Sequence, residues 1–433
     1  MHCLEVHEMS NTVRYAAMKD SGIKWIGDIP ETWTTRTLYQ LATRVSNKNT
    51  DLAEQNLLSL SYGKIKRKDI NSNDGLLPAT FDGYNIIEAG DIVLRLTDLQ
   101  NDHTSLRVGQ ATERGIITSA YVTLRSINPA YSRYLYYLIH VFDLKKGFYG
   151  MGSGVRQGLN YDEVKNIRIV LPPQKEQYAI TEYLDNQCSQ IDTLVQEAMD
   201  SILEYKKWRT AIISEVVIKG LDTPTKMRDS KIEWIGNIPV GWKITRMKNI
   251  LSNITIKNRS EATVLSLYRD YGVIPKDSRD DNHNVTSENT SQYKFVAVGN
   301  LVINKMKAWQ GSLGVSKYEG IVSPAYYVCE FISNKIEKRY LHHLLRCKLY
   351  AQEFEKLSTG MRIGQWNLGI DDFMNVPALI PSIDEQKKIA SYLDERCTWI
   401  DELIQKKLEL ISTLGNYKQA LIYEVVLGRR KVV

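Results

Sequence analysis

Two sets of side chains in this sequence carry the donors and acceptors that reading nucleic-acid bases and phosphates requires. The run SYGKIKRKD (Ser61–Asp69) supplies Tyr62, Lys64, Lys66, Arg67 and Lys68, and Arg95, Arg156, Gln157 and Asn160 follow. The second set is Tyr268, Arg269, Lys305, Lys307, Trp309, Arg362, Gln365 and Asn367. Arg and Lys present donors to a guanine edge, Asn and Gln match the donor and acceptor of adenine, and basic or hydroxyl groups hold phosphates. Taken one at a time, each has an alternative as an ordinary solvated surface residue. Arg156 and Arg362 stand apart because both lie between glycines just before a long helical run.

Signals of catalysis are weaker. FYGMGSGVRQG (Phe148–Gly158) is rich in glycine but lacks the GxxxxGK[ST] order of a phosphate loop, so it reads as a turn. NPAY (Asn128–Tyr131) lacks the second proline of the Asn-Pro-Pro-aromatic motif of adenine methyltransferases, and no cofactor-binding glycine fingerprint accompanies it. It reads as a loop entering a helix near Tyr134. Asp200, Glu204 and Lys206 could suggest a nuclease Mg²⁺ site, but the equivalent positions in the repeat described below are Glu409, Thr413 and Gly415, which argues for surface charge. Five cysteines form no CxxC and seven histidines complete no zinc spacing. His342 and His343 are assigned to a domain helix. The expectation is a chain with no catalytic residues, no metal and no cofactor of its own.

Positioning such contacts requires a large frame. At 433 residues the chain exceeds one ordinary core, and 43% hydrophobic with 24% charged residues is the composition of a folded protein rather than a disordered one. No apolar run approaches the length of a membrane span, and Glu5, Glu8 and Arg14 stand where a signal peptide would be apolar, so a cytoplasmic protein is expected. The net charge of +6 permits a polyanionic partner without establishing one.

The frame is an internal repeat. DSGIKWIGDIPETW (Asp20–Trp33) returns as DSKIEWIGNIPVGW (Asp229–Trp242), 9 of 14 positions identical at an offset of 209. The same offset carries Gly90 onto Gly299, Glu176–Gln177 onto Glu385–Gln386, Cys188 onto Cys397, Asp192 onto Asp401 and Glu215 onto Glu424. The intervening segments 64–85 and 273–294 share little beyond polarity, and the register slips near Tyr121 and Tyr326. A repeated frame carries different loops.

Each copy opens with an α+β stretch: β-like runs such as Asp91–Leu96 and Ile116–Leu124, then a helix near Arg133–Val141. Each closes with a run that suits a long helix, Gln174–Lys219 without Pro or Gly and Ser382–Leu427 broken only by Gly415. Positions 184, 188, 191, 195, 198, 202, 205, 209, 212 and 216 alternate spacings of four and three and are mostly apolar, as are the positions 209 later; Arg209 and Lys418 occupy the same place in the two seams. That is a coiled-coil pattern. A pair of helices this long would make a rod on the order of 65 Å, and an antiparallel pair would place a globular domain at each end about a pseudo-twofold axis.

These motifs, WIGxIP…W at Trp25 and Trp234, SGVRQGLNYDEVKNIRIVLPPQKEQ (Ser153–Gln177), TGMRIGQWNLGIDDFMNVPALIPSIDEQ (Thr359–Gln386) and the helix starts EQ..I..YLD..C..ID.L, resemble the specificity (S) subunits of type I restriction-modification systems over nearly the whole chain. The resemblance implies two target recognition domains, each reading one half of a bipartite double-stranded DNA site, held apart by paired helices that dock two modification (methyltransferase) subunits. It makes Gln177, Asp185, Asp192, Gln386, Asp394 and Asp401 candidate docking residues, for which helix-cap, surface or mutual packing roles are alternatives. It places S-adenosylmethionine, ATP and Mg in partner subunits, with restriction (endonuclease/translocase) subunits as a further partner, and no membrane. The divergent loops suit two different half-sites.

The expected division is 1–19 N-terminal extension, 20–172 target recognition domain, 173–219 helix arm, 220–228 linker, 229–380 second recognition domain, 381–428 second arm and 429–433 basic tail. Residues 1–8 precede Met9, and the family pattern gives them no role. A coiled-coil protein-interaction scaffold and a stand-alone DNA-binding regulator are the competing functions; a scaffold would lack the steep salt dependence of phosphate contacts.

Overall fold

The computed structural model describes residues 13–71, 78, 80–102, 104–151, 158–221, 226–269, 272–278, 289–360 and 366–432. The chain forms two compact units. Residues 1–197 with 410–433 make the first, and 198–409 make the second. Each unit therefore takes one α+β domain together with part of each of the two long helices, Gln174–Lys219 and Ile383–Val426.

The duplication extends to strand order. A four-stranded antiparallel sheet in the first unit runs Ala42–Arg44, Val122–Ser126, Ile92–Leu94, Val108–Gln110. The second unit repeats it with Leu251–Ile254, Tyr326–Phe331, Leu301–Asn304, Leu313–Val315. The β-like run Ile116–Leu124 is in fact two strands: Gly115–Ile117 pairs with Asn85–Ile87, and Val122–Ser126 joins the larger sheet. A turn at Thr118–Tyr121 separates them, with the Tyr121 N–H on the Thr118 carbonyl. NPAY does lead into a helix: the Asn128 side chain accepts from Ala130 N–H, and the helix Ser132–Leu144 follows.

Seam positions such as Leu184, Cys188, Ile191, Leu393, Cys397 and Ile400 are buried, and within each unit the two helix segments run antiparallel. In the first, Glu176 lies beside Trp33, whose ring approaches Gly428, while farther along Asp192 meets Lys418. In the second, Gly220 lies beside Glu385 while Arg209 meets Asp401. Leu184, Cys188 and Ile191 share one core with Leu421, Ile422 and Val425; Val216 and Val217 share the other with Ile389 and Leu393. Gly428 closes the second helix at φ +70°, and a side chain there would strike Pro30 at 2.4 Å, so glycine is required on both counts. Lys431 N–H continues onto the Val13 carbonyl and Arg429 donates to the Ile26 carbonyl. Much of the expected basic tail is thus tied into the first unit.

Candidate nucleic-acid interface

The first unit builds its basic set on a hairpin. Strands Leu58–Ser61 and Lys64–Arg67 pair with Ser61 opposite Lys64, which leaves Tyr62 and Gly63 as a two-residue turn. Both carry positive φ, 48° and 75°, the signature of a type I′ turn that matches strand twist. Tyr62 stands 79% exposed at the tip. Ile65 packs inward on Leu58 and Leu60, so alternation turns Lys64 and Lys66 outward, and Lys68 beyond the strand is also exposed. Arg67 faces the other way, where Glu113 holds its guanidinium in a bidentate pair. Lys64 comes within 3.7 Å of Asp192 on the first long helix.

The remaining candidates of this set scatter. Arg95 is half-buried, its N–H on the Arg107 carbonyl. Asn160 is a helix cap: its side-chain oxygen accepts from Asp162 and Glu163 N–H, and Glu163 returns a bond to Asn160 N–H. That carbonyl is committed, so the paired donor and acceptor of adenine readout is not available to Asn160 in this state. Arg156 and Gln157 lie outside the described residues.

In the second unit the sequence candidates do converge. The Lys305 carbonyl accepts from Leu368 N–H at 2.9 Å, joining the segment after strand Leu301–Asn304 to the small hairpin in which Asn367 pairs with Thr359. Lys307 and Asn367 are exposed on this surface. Trp309 and Trp366 pack together there at 5.6 Å between ring centroids. Trp366 was not among the sequence candidates. Tyr268 is half-buried and Arg269 exposed, and Arg346 donates to the Arg269 and Leu313 carbonyls. Arg362 and Gln365 lie outside the described residues.

All six proposed docking residues have partners within the chain. Gln177 and Gln386 are 2% and 0% exposed, and each donates to the carbonyl of a proline five residues back, Pro172 and Pro381. Gln386 also accepts from Glu337 N–H at 2.7 Å. Burial at this level withdraws both glutamines from any partner surface. Asp185 is gripped by Arg133 and by the Tyr137 hydroxyl at 2.6 Å. Asp394, its repeat, is gripped by Arg339 at 3.0 Å and His343 at 2.8 Å. Burial acts to raise the Asp394 carboxyl, but His343 and Arg339 outweigh it and hold it below the usual carboxylate range. Asp192 pairs with Lys418 at 2.7 Å and Asp401 with Arg209 at 3.5 Å. The recurrent acids therefore answer the two cations of the seams.

Beside their charged and polar residues, the long helices expose large apolar side chains. Trp208 and Trp399 meet edge to face at 5.5 Å and stay 41% and 42% exposed, with Leu203 and Leu408 also exposed in the same unit. Both tryptophans fall outside the seam positions, which was the available signal. Among the described residues no three His, Cys, Asp or Glu side chains gather as a metal site, and no helix is long and apolar enough to cross a membrane.

Comparison with known proteins adds an independent line. The family model of the type I restriction modification DNA specificity domain matches residues 239–413. The chain is 24% identical over 391 residues to the type I restriction enzyme MjaVIII specificity subunit of Methanocaldococcus jannaschii, covering 87% of this chain and 84% of that protein. It is 29% identical over 93 residues to the StySPI specificity subunit of Salmonella potsdam, 22% of this chain and 20% of that one. Among solved structures, one from a study of type I R-M system assembly and conformational transition matches with a TM-score of 0.64 at 15% identity, covering 92% of this chain and 98% of the other. The HsdS subunit from Thermoanaerobacter tengcongensis gives 0.50 at 15% identity with the same coverages. At such identity the structural matches speak to the fold.

Proposed function

This chain belongs to the type I restriction-modification DNA specificity family, and we propose that it is the non-catalytic specificity subunit whose two units each read one half of a bipartite double-stranded DNA site. The observation that carries the proposal is the repeat itself: one strand order and one set of internal ties support two different exposed surfaces. The first unit presents the Lys64–Lys68 hairpin side, which falls in the divergent segment 64–85, and the second presents the Lys305–Trp309 surface with Asn367. Two readers on one frame is what a site with two unlike halves requires.

In this reading the cationic hairpin face holds phosphates, and Lys307, Asn367 and the Trp309–Trp366 pair contact the second half-site. The paired helices set the distance between half-sites and dock two modification subunits. Docking falls to the exposed Trp208 and Trp399 faces, since exposed aromatic anchors suit interface centres better than buried glutamines do. S-adenosylmethionine belongs to the modification subunits, and ATP and Mg to restriction subunits where these are present.

The test is binding of the complex with its modification subunit to duplexes in which either half-site is scrambled. Loss on scrambling either half supports two readers; indifference to one half removes that unit's role.

A further inference from the structure

The second unit contains a cleft that shares Trp309 with the proposed base-reading surface and sets a cluster of cations beside it. It has a volume of about 510 Å³ and is lined by Arg209, Arg269, Trp309, His342, Arg346 and Lys348, among others. That volume falls within the usual range for small-ligand sites. The first unit repeats the cleft at about 650 Å³, with Lys418 and Ile422 standing where Arg209 and Ile213 stand in the second. The charge, however, has diverged. In the first unit Lys64, Arg133 and Lys418 are answered by Asp185 and Asp192 on the same walls. In the second, Asp401 answers Arg209 and Asp394 contacts His343, both from outside the lining, and Glu355 is the sole carboxylate of the lining itself among the described residues.

Three features make the second cleft a receptor for an oxyanion. Arg209 lines the cleft and is held in place by Asp401 at 3.5 Å, with its side chain still partly exposed. His342 accepts from Val315 N–H through Nδ1 at 3.2 Å, so its proton sits on Nε2 as a donor. Burial, then the charges of Arg346 and His343, keeps that ring neutral, so it adds a donor without adding to the cationic repulsion. Lys348 opens the helix Lys348–Leu357, whose start has no side-chain cap and no acid in its first turn, and this adds positive potential to the lysine's own charge. Trp309 supplies an aromatic wall, steadied from one side by Trp366.

We propose that this cleft binds a nucleotide unit, its phosphate among Arg209, Arg269 and Lys348 and its base against Trp309. The nucleotide comes either from a free nucleoside phosphate, which goes beyond the recognition function, or from bound DNA, which rests on it. Glutamate is favoured at a helix start, so Lys348→Glu keeps the fold while placing a carboxylate in the cleft. Each protein, wild type and variant, is titrated with ADP and, separately, with a mixed-sequence DNA duplex, with circular dichroism to confirm folding. Loss of a charge-assisted phosphate contact corresponds to roughly tenfold weaker binding. ADP binding by the wild type that weakens about tenfold or more in Lys348→Glu supports a free nucleotide. No ADP binding, with duplex binding weakened to that extent in Lys348→Glu, supports a nucleotide of DNA. If neither ligand is sensitive to Lys348→Glu, the site is overturned, while duplex binding by the wild type leaves recognition standing. Conversely, ADP binding without duplex binding keeps the site as one for a free nucleotide, and recognition is judged separately on the complex with its modification subunit.

Discussion

The indole N–H of Trp33 donates to Oε2 of Glu176 at 3.0 Å, 143 residues along the chain. Trp242 makes the same bond to Glu385, also at 3.0 Å. Each tryptophan closes its unit's opening motif, and each glutamate starts a long helix, so the bond fixes a recognition domain to the helix that follows it. The Tyr15 hydroxyl donates to Glu176 as well. Replacing Glu176 by Leu strands two donors and is expected to cost about 2 kcal/mol. Urea unfolding followed by tryptophan fluorescence reads this directly; an unchanged midpoint would show that the bond is not structural.

The pair Asp192 and Lys418 joins the two long helices inside the first unit, as Asp401 and Arg209 do in the second. Lys418 sits mostly out of water, its side chain 24% exposed. A double-mutant cycle on Asp192→Asn and Lys418→Met should return a coupling of about 1 kcal/mol, above the typical exposed ion pair. Additive costs would mean that packing alone holds the seam there.

Asp143 gives a pH signature. Burial pushes its carboxyl up to about 6, against bonds and charges from Arg107 and Lys146 that act to lower it. One oxygen accepts from Arg107 N–H and the other has no partner. Because the folded value is raised above the unfolded one, this group's contribution is fully present below the usual carboxylate value of 3.8 and is lost as pH rises through about 6. Asn at position 143 stays neutral and can keep the Arg107 contact. The stability of Asp143→Asn relative to wild type should therefore rise between pH 4 and 7 by on the order of 2 kcal/mol, then level off. A flat difference across that window would contradict it.

The basic hairpin predicts a salt effect. Converting Lys66 and Lys68 to Ala should weaken DNA binding and flatten the plot of log affinity against log salt by about 2 units, one per lost phosphate contact. An unaltered slope would assign both lysines to the solvated surface.

Much of the architecture was legible in the sequence because it is periodic. The run from Gln174 to Lys219 without Pro or Gly is the first long helix, and the alternation of four and three marks its packing stripe. Recurrence was harder to interpret. That Gln177, Asp185 and Asp192 return 209 residues later shows a shared contact, yet spacing cannot say whether its partner lies inside or outside the chain. The structure supplies inside partners: a proline carbonyl, an arginine on a domain helix and a lysine on the other long helix. The cationic cleft was invisible for a related reason. Arg209, Arg269 and Lys348 come from three distant segments, and no local pattern joins them.

Docking on the helices should depend on the exposed aromatic pair. Trp208→Ala with Trp399→Ala is expected to weaken association with the modification subunit at least about tenfold, an effect typical of aromatic anchors. The folded state should survive, because neither ring belongs to the seam. Unchanged association in analytical ultracentrifugation would move the docking surface elsewhere.

The central claim, two readers on one chain, is tested most directly by co-expressing the protein with its modification subunit and mapping methylated adenines genome-wide by single-molecule sequencing. The account predicts a two-part motif interrupted by a fixed run of unspecified bases, with Lys307→Ala and Asn367→Ala together relaxing one part and leaving the other intact. Methylation that shows no bipartite motif, or that persists unchanged without this chain, would contradict it.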